Sequence, residues 1–308
     1  MTRSRPSSAP WCEDDSDSLA EKISALKNQL HGHPKLDSFI RRAAIMTVVD
    51  TLKYECTWPS KPSEEVLQDV LAAMWDGTTV EIPSVMWEAE GENATVETAR
   101  KQVSQSMLAL KYLWDLPSDH IMTEQNIKVA HGLLMANAIS EEEPMNAGSY
   151  RTKSCHATGT MGGKDFSPPE DIASSMERLV ASLANSTASG ATAAKFSYNF
   201  LAIHPFSNGN GRLARFLVAW MMRSAGMPFP ISIGQGKSAR KHWLKAVTRN
   251  DSNRGLDWLE TLILQSCLNR WINFFLQVNM QLGVEEETIS SGCSFLDLFA
   301  VCMRPFST

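Results

Sequence analysis

The sequence predicts an all-α fold: a helical bundle carrying one small β-hairpin flap. Three observations lead there. Apolar residues recur at helical spacing along most of the chain, starting with Leu19, Ile23, Leu26 and Leu30 on one face. The breaks between such segments fall on Gly, Pro and polar clusters, as from His31 to Pro34 and from Leu116 to Asp119. One stretch alone, Ser140–Phe166, is punctuated by Gly148, Gly159, Gly162 and Gly163 and reads as a hairpin or flap. Helices without a sheet to cover must bury their apolar stripes on one another.

Each element follows in order. Residues 1–17 are rich in Ser, Pro and acids and read as a disordered tail. A helix runs from Ser18 to Leu30, a second over 36–57, and a third over Glu64–Trp75 behind Pro62. Thr78–Val85 is β-rich, follows Gly77 and is broken at Pro83, as a brief strand or a loop. Ala94–Trp114 forms a long helix, and Thr123 caps the next, which ends near Asn137. After the flap, Pro168 and Pro169 open a helix that ends near Ala184. Ala191–Ile203 is apolar and stops at His204 and Pro205, and a further helix spans Gly209–Ala225. Helices over about 238–248 and 255–284 complete the set, and the stretch from Ser290 has no clean period.

Bulk properties narrow the function classes. With 308 residues, 43% hydrophobic and 20% charged, the chain can bury a sizeable core. A net charge of −5 leaves no basic footprint for nucleic acid, and the basic run Lys237–Lys245 reads as the solvated face of a helix. No apolar run reaches the ~18 residues a membrane-spanning helix needs. The six cysteines are scattered without zinc-ligand spacing, which suits free thiols in a reducing compartment and a cytoplasmic location. Cys155 beside His156 is not a nucleophile–base pair, because adjacent side chains rarely face each other.

The run from His204 to Arg215 concentrates the chemistry. It places a titratable base, a glycine-rich turn and two arginines within twelve residues. Glycines let backbone N–H groups approach a phosphate, and a helix starting there adds partial positive charge. Arg212 and Arg215 are three apart, so they share a helix face and can grip one polyphosphate. His204, just upstream, could take a proton from an attacking hydroxyl.

The string His204, Pro205, Phe206, Ser207, Asn208, Gly209, Asn210, Gly211, Arg212 and Arg215 resembles the signature of the Fic (Fido) family. It departs at one fixed position, where Asn208 replaces an acidic residue. Gly148, Tyr150 and Arg151 resemble the element before the family's flap, and 152–166 the flap itself. His131 resembles a family position too, although a histidine there more often packs or caps. The resemblance implies a helical protein that transfers AMP from ATP to a Ser, Thr or Tyr hydroxyl of a target protein, using Mg2+, with reversal at the same site open. It implies His204 as general base and Phe206 as the anchor of the loop in the core. It implies Gly209, Asn210 and Gly211 as the anion hole, Arg212 and Arg215 on the β- and γ-phosphates, and Asn208 at the metal position. The target would lie along the flap by strand addition. An amide oxygen brings no charge, so metal affinity should be weak.

Many relatives carry an inhibitory glutamate that pairs with the second signature arginine. Here Glu90, followed by Gly91, best resembles it, while the register ending at Glu88 has the spacing but not the following residue. The chain then divides into the tail 1–17, an N-terminal helical region 18–84, a Fic domain 85–268 and a C-terminal helix and tail 269–308. Apolar residues near 270–280 could serve a homodimer or the core. Two other readings stay open: a weakened Fic-fold binding module, and a transferase of another phosphate-containing group.

Overall fold

The computed structural model describes residues 12, 14–54, 59–61, 64–78, 88–89, 96–136, 147–156, 165–233, 236–248 and 252–280. Ten helices occupy them: α1 (Ser16–Leu30), α2 (Leu36–Tyr54), α3 (Glu64–Trp75), α4 (Val96–Asp115), α5 (Glu124–Met135), α6 (Pro169–Ala184), α7 (Gly190–Ile203), α8 (Asn210–Ser224), α9 (Gly236–Val247) and α10 (Ser252–Met280). Two short strands, β1 (Pro59–Lys61) and β2 (Glu88–Ala89), pair antiparallel. The all-α expectation holds.

Local chemistry sets several of the ends. Asp15 caps α1 by accepting from the Ser18 amide at 2.9 Å, and Lys22 reaches back to Asp14 at 2.7 Å. α1 and its cap thus include residues 15–17 of the stretch read from sequence as tail. Thr123 and Asn126 form a reciprocal capping box on α5, in which each side chain bonds the other's backbone amide. Pro168 and Pro169 open α6, since proline's missing N–H is not needed in a first turn. The β1–β2 pairing was not foreseen, because Pro59–Lys61 has no apolar alternation and lies in a gap between helices.

α8 is the central helix. Eleven consecutive residues from Arg212 to Met222 are buried, so it is covered on all sides rather than along one stripe. It packs on α7, α4, α2 and α5. α10 lies along α1, α7 and α9, and α4 packs on α5. The apolar residues of 270–280 are used in the core. Trp271 and Phe274 are 1% and 0% exposed, and their rings lie 4.8 and 6.2 Å from Phe229.

Between α8 and α9 the chain is held by a buried cation. The Arg270 guanidinium donates to Ser232 Oγ at 2.5 Å, and that hydroxyl reaches Thr47 Oγ1 at 3.4 Å. This ties the segment leading into α9 to α2 and α10, and α9 becomes the far wall of the site.

Candidate active site

The site is built where α7 stops and α8 starts. His204 caps α7 in the left-handed region, φ 52°, ψ 61°, its amide bonded to the Phe200 carbonyl at 2.9 Å. It is the one non-glycine residue with positive φ among the described residues. Such a conformation costs on the order of 1 kcal/mol and turns the side chain off the helix axis. Pro205 then prevents the helix from continuing. Gly209, φ 77°, begins α8, and a Cβ there would meet Met135 Sδ at 2.9 Å. Only glycine fits both the backbone and the space.

The turn between them is pinned from inside. Asn210 is buried; its Oδ1 accepts the Phe206 amide at 3.1 Å and its Nδ2 donates to the Phe206 carbonyl at 2.7 Å. Phe206 is 0% exposed and stacks on His131, centroids 3.7 Å apart and 6° from parallel. His131 accepts the Gly148 amide at Nδ1, 2.9 Å, and donates from Nε2 to the Asn208 carbonyl, 3.1 Å. That pair of bonds selects the tautomer with the proton on Nε2. Burial pushes its pKa down to about 4, with the nearby Arg212 charge acting the same way.

Arg151 ties the flap to the turn. Its guanidinium donates to the carbonyls of His204 (2.8 Å), Lys153 (2.8 Å), Ser167 (2.5 Å) and Ile203 (3.3 Å), and its amide to Pro205 (2.9 Å). It is buried, and carbonyl oxygens rather than a carboxylate satisfy these donors. The two ends of the flap meet through an antiparallel bridge between His156 and Asp165. Phe166, at the end of that bridge, stacks on His204 with centroids 3.9 Å apart. The span 157–164, the middle of the expected flap, lies outside the described residues.

A cavity of about 300 Å³ opens on this turn. One wall is the turn and α8: His204, Ser207, Asn208, Gly209, Asn210, Gly211 and Arg215. The other is α9 with Phe166 and Leu201: Arg240, Trp243, Leu244, Val247 and Thr248. The volume is at the small end of ligand pockets. α8 has no side-chain cap, so its first-turn amides point outward with the positive end of the helix dipole. Arg215 lies over the Trp243 ring at 5.4 Å, a cation–π contact that holds the guanidinium at the cavity wall.

Burial lowers the pKa of His204 to about 4, the Arg151 charge adds to this, and the Leu201 backbone opposes it. Its Nδ1 is buried without a hydrogen-bond partner. The ring is therefore neutral at pH 7 and lines the cavity.

Eight of the residues singled out from sequence belong to the turn and α8, but not all reach the cavity. His204, Asn208, Gly209, Asn210, Gly211 and Arg215 line it, whereas Phe206 is buried beneath the turn. Arg212 is buried with its guanidinium 3.5 Å from Met135 Sδ and is not among the lining residues. Glu90 lies outside the described residues. Sequence reasoning named Arg151 and His131 from the resemblance, with packing or capping the commoner role for the histidine, but it did not foresee that Arg151 ties the flap to the turn, that His131 bridges Gly148 to Asn208, or that Arg240 stands on the second wall. The signals in the sequence were the Gly148–Arg151 element, the family-like position of His131 and the basic face of α9.

The described residues around the cavity offer the Mg2+ implied by the family resemblance no charged ligand. Among the described residues no carboxylate lines the cavity, and no three His, Cys, Asp or Glu side chains gather as a metal site. Asn208 Oδ1 is engaged, accepting the Gly209 amide at 2.6 Å.

An uncapped helix start, a histidine in the left-handed region and a buried arginine thus surround one cavity of a helical protein. The Fic/DOC family pattern matches residues 121–222. A Fido domain-containing protein of Dictyostelium discoideum is 29% identical over 139 residues, which cover 43% of this chain and 94% of that protein. The protein adenylyltransferase Fic of Drosophila mojavensis is 30% identical over 149 residues, 47% of this chain and 28% of that protein. Thus the chain spans well under half of the length of the adenylyltransferases it matches. The crystal structure of a Fic family protein from Desulfovibrio desulfuricans shares the fold, with a TM-score of 0.61 at 19% identity, covering 95% of this chain and 85% of that one. Fic-1 from C. elegans does so with a TM-score of 0.65 at 17% identity, covering 86% and 73%. The likeness to the Fic/DOC family is carried by residues 121–222, about a third of the chain.

Proposed function

We propose that the protein transfers AMP from ATP to a hydroxyl of a target protein, with His204 as the general base. One observation carries this reading: His204, the Gly209–Gly211 turn and Arg215 line the same cavity. The neutral imidazole takes the proton of an incoming Ser, Thr or Tyr hydroxyl as its oxygen bonds to the α-phosphorus. The bond from the α-phosphorus to the bridging oxygen breaks, and pyrophosphate leaves. Turn amides and the start of α8 stabilise the charge building on the phosphoryl oxygens, and Arg215 takes that on the leaving group. Arg212 is buried behind Met135, and in this reading it reaches a terminal phosphate only after a side-chain rearrangement. The target segment docks along flap 152–166, whose two ends the His156–Asp165 bridge brings together.

The test is labelling from ATP, of the protein itself and of lysate proteins, read by mass spectrometry. Wild type should add AMP, and His204→Ala should lose on the order of 10²–10⁴-fold in rate. Equal labelling by the folded variant would end the enzyme reading and favour a binding module. A mass other than AMP would instead favour transfer of another phosphate-containing group. The same assay tests the inhibitory role proposed for Glu90: Glu90→Gly should label faster, and an unchanged rate removes that role.

A further inference from the structure

The charge around the cavity is one-sided. Arg215 and Arg240 both line it, the start of α8 adds partial positive charge, and no described lining residue is anionic. The side-chain oxygens beside them are mostly in use. Asn210 Oδ1 holds the Phe206 amide, and Asn208 Oδ1 folds onto the Gly209 amide at 2.6 Å. Thr248 Oγ1 donates to the Leu244 carbonyl at 2.7 Å. Protein-bound Mg2+ is ordinarily held by one or two carboxylates together with substrate phosphates, and this wall offers neither carboxylate.

We infer that this site binds a nucleoside triphosphate without a protein-held divalent cation, the Arg215–Arg240 pair and the start of α8 supplying the countercharge. Asn208 is the residue that sets this preference. Its neutral amide brings no charge to hold a cation and none to repel a triphosphate, and it keeps the Gly209 amide capped until a phosphate oxygen replaces it. A carboxylate at that position would repel the phosphates until a cation bridged the two. The inference rests on the nucleotide reading above and concerns the same cavity.

The experiment is calorimetric titration of the full chain with ATP, once in excess EDTA and once in excess Mg2+. Circular dichroism melting verifies that each variant is folded. Wild type should bind ATP in EDTA, with affinities in the two conditions agreeing within about threefold, less than one charge contact carries. Asn208→Asp should weaken binding in EDTA by roughly tenfold and recover it in Mg2+, as expected for one added like charge near the phosphates. Arg240→Ala should weaken binding by roughly tenfold in both conditions. Binding by wild type only in Mg2+ overturns this inference and leaves the nucleotide reading standing. No binding in either condition overturns both.

Discussion

Two histidines, one buried and one half-buried, stand at one turn, and they carry nearly the same shift. Burial holds both His131 and His204 near a pKa of about 4. Both stack on a phenylalanine, at 3.7 and 3.9 Å. Their surroundings differ. His131 uses both ring nitrogens, one on the Gly148 amide and one on the Asn208 carbonyl, and it is not among the residues lining the cavity beside His204. His204 leaves Nδ1 without a partner, sits in a strained backbone conformation and lines the cavity. A perturbed pKa alone does not separate a structural histidine from a reactive one; the fate of the two nitrogens does.

The sharpest way to break this comparison is to remove each ring. His131→Ala leaves the part-buried Gly148 amide and Asn208 carbonyl without this partner and uncovers Phe206. It should cost about 2–4 kcal/mol of stability in urea unfolding. His204→Ala loses a ring stack and the ring's bond to the Leu201 backbone and should cost about 1–2 kcal/mol while abolishing labelling. Equal losses of stability in the two variants would sink the distinction.

Acid comes next in size. The charged imidazolium is disfavoured in the fold, so the unfolded chain binds more protons between pH 6.5 and about 4. Stability from each histidine is therefore complete above pH 6.5 and is lost as pH falls towards 4, by about 3 kcal/mol per ring. Urea unfolding across that window should show roughly half the acid sensitivity in folded His204→Ala. An unchanged slope would mean that carboxylates elsewhere dominate.

The smallest effect concerns the lid on His204. Phe166→Ala should change stability by less than about 1 kcal/mol, since Phe166 is only half-buried. By admitting water it should move the acid limb of the labelling rate up towards pH 6.5. A pH–rate profile identical to wild type would show that α9 and the helix end, not Phe166, keep the ring dry.

Much of the fold was legible because helical periodicity and caps are local. Thr123 with Asn126, and Pro168 with Pro169, mark helix starts within a few residues. β1 and β2 were not legible, because their pairing joins Pro59–Lys61 to Glu88–Ala89 across intervening chain and neither strand has a pattern of its own. The site was half legible. Spacing on an isolated helix suggested that Arg212 and Arg215 share one role, but α8 is buried on all sides, so residues three apart meet different neighbours: Met135 for one, Trp243 for the other.

By itself the sequence determined the helical class, the turn that joins base to glycines, and the chain order of the parts, since these follow from contacts within a few residues. Tertiary structure decided which polar groups face the cavity, that Arg151 and His131 hold the turn in place, and that α9 closes the far side. Those depend on elements distant in the chain being packed together. Burial, which sets both the pKa values and the positions of the charges, exists only after that packing is complete.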